Sequence, residues 1–132
     1  MNTKTEVKNE LSLTDLFGDV ISSYSQAQAI EDGFLHKLDD KIVKEAGFKY
    51  PVVITNGIAG IIERAKKNPS QSWDGIVWDI LTLLKYGIGG SSNTQRVAFI
   101  VKINGKNYTL ISVVGGGDEG EPVITIMLPG ED

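Results

Sequence analysis

The chain has 132 residues, 13 Lys and Arg against 17 Asp and Glu, 15 glycines, one His and no Cys, and 41% of it is apolar. That length suits one domain with enough apolar content for a core. Without Cys there is no disulfide, thiolate nucleophile or cysteine-ligated metal, and the lone His36 excludes a histidine-rich zinc site.

Residues 1–13 are polar and aperiodic and read as a mobile arm, with residues 14–132 as a single domain. The start lacks the apolar stretch of a secretory signal, and apolar runs of about five residues fall far short of the roughly 20 a membrane span needs. A cytoplasmic protein with no membrane segment is therefore expected.

From Ser25 onward the pattern is helical. Ser25 with Gln28 forms a capping-box spacing, and the short run behind it ends at Gly33. Asp39 or Asp40 caps a second helix that carries Ile42, Val43 and Ala46 and ends at Gly47. A third begins near Thr55, sets Ile58, Ile61, Ile62 and Ala65 at helical spacing, and runs out before Pro69. The fourth follows Ser72, with Trp73, Ile76, Val77, Ile80, Leu81 and Leu84 in one continuous stripe. Gly87 is expected to stop it, as Gly33 and Gly47 stop the earlier helices, each glycine being followed by an apolar residue.

Beyond residue 94 the period changes from 3.6 to 2. Val97, Phe99, Val101 and Ile103 alternate, and Asn104-Gly105 signals a two-residue type I′ hairpin. Such a turn pairs Ile103 with Lys106, Val101 with Tyr108, Phe99 with Leu110 and Val97 with Ser112. Val123 to Leu128 forms a third strand behind Pro122, and the acids around Pro122 suit a free edge. The expected class is α+β: N-terminal helices packed on one face of a C-terminal three-stranded antiparallel β-meander.

Charge is unevenly spread. All 13 basic residues lie in residues 1–106, whereas Asp118, Glu119, Glu121, Glu131 and Asp132 make residues 107–132 an acidic pole without a base. The net charge of −4 disfavours nucleic acid and favours a protein partner with a basic surface. Asp118, Glu119 and Glu121 are candidate contacts for that partner. Trp78 is another, because it lies about 140° from Trp73 around the fourth helix, away from the apolar stripe.

The remaining chemistry-bearing patterns are weaker. Gly87–Ser92 is glycine-rich but leaves a helix where a phosphate cradle must open one. Glu31/Asp32 and Asp39/Asp40 are adjacent pairs that do not share a helix face, and capping accounts for them. His36 has no Ser or Cys motif beside it. No metal or cofactor is expected, no catalytic residue stands out, and nothing signals an oligomeric state. Arg64, Lys66, Lys67 and the N-terminal arm serve nucleic acid only if the fold segregates them from the acidic pole.

The segments Ala29-Ile30-Glu31-Asp32-Gly33, Glu45-Ala46-Gly47-Phe48-Lys49-Tyr50-Pro51-Val52 and Gly120-Glu121-Pro122-Val123-Ile124-Thr125-Ile126-Met127-Leu128-Pro129-Gly130-Glu131-Asp132 resemble a family of small bacterial proteins of unknown function. Its members often occur on plasmids, phages and other mobile elements. The resemblance implies an accessory protein that binds a host or element protein, such as an inhibitor of a defence system. A small carboxylate-dependent enzyme, with Glu31, Asp32 or Asp118 as acid or base and a divalent cation, is the alternative.

Overall fold

The computed structural model describes residues 25–90 and 95–131; the expected arm at residues 1–13 lies outside them, as does Asp132. The elements in chain order are α1 (Gln26–Glu31), β1 (Leu35–Lys37), α2 (Asp40–Glu45), β2 (Val52–Thr55), α3 (Asn56–Ala65), α4 (Trp73–Gly89), β3 (Arg96–Ile103), β4 (Lys106–Gly116) and β5 (Pro122–Met127).

The caps follow the sequence. Ser25 Oγ accepts from Gln28 N at 2.9 Å, although the Gln28 amide turns forward to Asp32 Oδ1 instead of closing a capping box. Asp39 caps α2 through Lys41 N at 2.8 Å, and Ser72 caps α4 through Gly75 N at 3.1 Å. Two helices end alike. Gly33 and Gly47 adopt φ of +84° and +97°, and the next residue donates five positions back, Phe34 to Ala29 O and Phe48 to Val43 O. This is the Schellman arrangement, which satisfies carbonyls the helix leaves open.

Gly87 does not stop the fourth helix, which continues through Gly89. Its place in the packing supplies the reason: a Cβ there would lie 3.2 Å from Val97 Cγ1 and 3.5 Å from Phe99 Cβ. The missing side chain lets the last turns of α4 lie against β3.

The hairpin has the expected register, with Ile103 opposite Lys106, Val101 opposite Tyr108, Phe99 opposite Leu110 and Val97 opposite Ser112. Asn104 and Gly105 both take positive φ, at 50° and 80°, as a type I′ turn requires. The sheet is larger than a three-stranded meander. Five strands lie in the order β1-β2-β5-β4-β3, with β2 parallel to β5 and every other pair antiparallel. The β5 strand is therefore interior, between β2 and β4, and the edges are β1 and β3.

Residues that alternate towards the helices, Ile54, Ile124, Ile126, Leu110, Val97, Phe99, Val101 and Ile103, form one cluster with Ile58 and Ile62 of α3 and Ile76, Val77, Ile80, Leu81 and Leu84 of α4. Val53, Val123 and Met127 are buried outside that cluster. Strands β2 and β5 thus bury residues of both alternations, which is why they read as continuous apolar runs.

Candidate functional site

Trp78 lies on α4 away from the buried stripe and is 44% exposed. It lines a surface hollow with Glu45, Ala46, Thr82, Lys85 and Tyr86, with a volume of about 420 Å³. Tyr86, two turns further along the same face, is 72% exposed.

A second hollow of about 420 Å³ adjoins the first at Lys85 and is lined by Phe48, Tyr50, Ile88, Val114 and Ile124 among others. Lys85 Nζ donates to Ala46 O at 3.4 Å, so the ammonium rests on the carboxyl end of α2 between the two hollows. The two hollows carry mostly apolar and aromatic walls together with Glu45, Thr82, Lys49 and Gln95, and Lys85 sits where they adjoin. Val114 and Ile124 face each other on the β4–β5 ladder, three residues from Gly117 along β4. That places the far end of the groove about 10 Å from the acidic loop.

In the loop between β4 and β5 the carboxylates of Asp118 and Glu121 accept from backbone amides. Asp118 reaches across the molecule to α1, accepting from Gln26 N at 2.6 Å and from Ala27 N at 3.0 Å. With Ser25 on Gln28 N, it satisfies amides of the first turn that no helical carbonyl can reach. Glu121 Oε1 accepts from Glu119 N at 2.9 Å, and Gly117 N donates to Glu121 O, closing the loop on itself. At the end of the chain Glu131 accepts from Thr55 Oγ1 at 2.8 Å and Leu128 N at 2.7 Å. Hydrogen bonding does not remove charge, and the side chains of Asp118, Glu119 and Glu121 all belong to exposed residues.

The other candidates have separate places. His36 Nε2 lies 3.1 Å from Asn56 Oδ1, at the start of α3. Asp40 pairs with Lys37 at 3.4 Å, and Asp32 closes α1. Neither hollow of the groove is lined by Glu31, Asp32 or Asp118. Among the described residues, no three His, Asp or Glu side chains converge as a metal set, and no helix is long and apolar enough to cross a membrane. Ser91 and Ser92 of the glycine-rich connection lie outside the described residues.

Trp78 was legible from helical spacing. Tyr50, Tyr86 and Lys85, which complete the groove, were not singled out, although Tyr86 lies eight positions after Trp78 and so falls on the same helical face.

The fold defines a small α+β domain with a mixed five-stranded sheet. Residues 14–132 match the model of a family described as Family of unknown function (DUF6573), and the chain belongs to that family. No curated protein and no solved structure matches the chain.

Proposed function

We propose that this is a non-catalytic binding protein whose contact surface is the groove from Trp78 to Tyr50, with the acidic end of the sheet steering a protein partner that has a basic surface. The observation that carries the reading is the aromatic surface itself: Trp78, Tyr86 and Tyr50 are all large and exposed in two hollows that adjoin at Lys85. Trp and Tyr at such positions offer contact area at low entropic cost and are enriched among interface hot spots.

Asp118, Glu119 and Glu121 act over a longer range, through a field that reaches about 10 Å at moderate salt. The setting we infer is that of an accessory product of a mobile element acting in the cytoplasm on a host or element protein, with inhibition of a defence system as its specific form. The motifs around Gly33, Gly47 and the chain end support that setting. The carboxylate-enzyme reading draws less support, because Asp118 caps a helix and neither hollow of the groove brings it to Glu31 or Asp32.

The test is crosslinking capture from host lysate with wild type, Trp78→Ala/Tyr86→Ala and Glu119→Gln/Glu121→Gln. The reading expects a stoichiometric protein that the aromatic variant loses and that the charge variant captures more slowly. Equal capture by all three would contradict it.

A further inference from the structure

The acidic loop and the Asn104-Gly105 turn lie at opposite ends of β4, an 11-residue strand, and so about 33 Å apart. The turn end is basic. There the carboxyl end of α3 meets the hairpin, which brings Arg64 beside Lys106, 42 positions later in the chain.

Both line a cavity of about 150 Å³ with Asn104 and Tyr108, over a floor of Ile61, Ala65 and Ile103. Among the described residues no carboxylate lines it. Among the described residues neither Arg64 nor Lys106 has an ion-pair partner, whereas neighbouring Lys66 pairs with Glu63 at 3.5 Å. Lys106 Nζ lies 5.5 Å from the centroid of the Tyr108 ring.

The amide of Asn104 is oriented by a relay. Asn68 Oδ1 accepts from Ser70 N and Ser70 Oγ, both at 3.0 Å, which turns the Asn68 amide nitrogen towards the hairpin. That nitrogen donates to Asn104 Oδ1 at 2.8 Å. The acceptor end of Asn104 is thereby occupied, and its NH₂ is left to donate. Gly60 plays a supporting part, since a Cβ there would lie 3.4 Å from Arg64 Nη1, and its absence gives the guanidinium room along α3.

The polar side chains of the lining therefore offer donors: a guanidinium fork, an ammonium, an amide NH₂ and a phenol. We propose that this cavity is an oxyanion site for a phosphate group carried on a larger ligand. A carboxylate would be satisfied by the Arg fork alone. A phosphate monoester carries up to two charges on three oxygens, and these match donors arriving from α3, the turn and β4. The volume suits a group of that size and is well below the roughly 300 Å³ at which whole-ligand pockets begin. The rest of the ligand must lie outside, over the surface that carries Lys66 and Lys67.

The experiment is an NMR titration of the full chain at constant ionic strength, reading the Asn104 side-chain amide and the Arg64 Nε–H. The probes are inorganic phosphate, adenosine monophosphate, adenosine, and a short single-stranded oligonucleotide with and without a 5′-phosphate, against a chloride control. Phosphate and the monophosphate are expected to shift both reporters saturably, adenosine and chloride neither. The two oligonucleotides decide the source: tighter binding of the 5′-phosphorylated strand than of the monophosphate assigns the phosphate to nucleic acid, and the reverse assigns it to a small molecule.

Asn104→Asp keeps a residue suited to the turn while placing a carboxylate against the anion, and should weaken binding about tenfold or more. Lys67→Ala, outside the lining, should weaken it less. Shifts spread evenly over the lysines, binding by both oligonucleotides alone, or an Asn104→Asp variant that binds phosphate as wild type does would each overturn the proposal.

Discussion

The two ends of the sheet use charge in opposite ways. At the β4–β5 loop, Asp118 holds the first turn of α1, and Glu121 holds its own loop. At the β3–β4 turn, Arg64 and Lys106 converge on a cavity that no carboxylate of the described residues lines. A carboxylate that accepts from backbone amides stabilises the fold, and its loss exposes donors that water must satisfy. A cation without a partner contributes little to stability and remains available to a ligand. Asp118 and Glu121 are thus tied into the fold, while Arg64 and Lys106 have no ion-pair partner among the described residues.

Several substitutions can break or sharpen that contrast. Ile126→Ala, in the interior strand β5 that pairs with β4, sets the scale: the side chain is fully buried, and its loss should cost about 2–5 kcal/mol in urea unfolding. Gly57→Ala comes next, because a Cβ there would lie 2.6 Å from Glu131 Oε2 and 3.0 Å from Leu128 Cδ1. The Glu131 and Leu128 side chains would have to shift, disturbing the bonds Glu131 accepts from Thr55 and Leu128 N, at a cost of about 1–2 kcal/mol. Asp118→Ala removes two amide partners from α1 and should cost about 1–2 kcal/mol, read as a lower urea midpoint at unchanged slope. Arg64→Ala/Lys106→Ala, at the opposite end, should stay within about 0.5 kcal/mol of wild type.

Much of the fold was legible because local chemistry determined it. Asn104-Gly105 fixed the hairpin register, Ser25, Asp39 and Ser72 fixed three helix starts, and the α4 stripe faces the core as its spacing requires. Strands β1 and β2 were missed for different reasons. The run Val52-Val53-Ile54 is buried on both faces, so it has no alternation, and it leads straight into the Thr55 cap of α3. Leu35-His36-Lys37 is three residues long, too short for any period to show.

The interior place of β5 depends on its parallel pairing with β2, a contact about 70 residues distant in sequence that no local pattern encodes. The sites show the same division. Trp78 was found from its angle on a helix, whereas the capping role of Asp118 spans 92 positions and became visible only in the fold. Arg64 stood out in a basic run, but Lys106 and Asn104 read only as strand start and turn until the hairpin met α3.

The most direct test of the contrast is urea unfolding of Asp118→Ala and Arg64→Ala/Lys106→Ala side by side with wild type. The account predicts a lowered midpoint for the first and an unchanged one for the second. A double basic variant destabilised as much as Asp118→Ala, or an Asp118→Ala variant as stable as wild type, would contradict it.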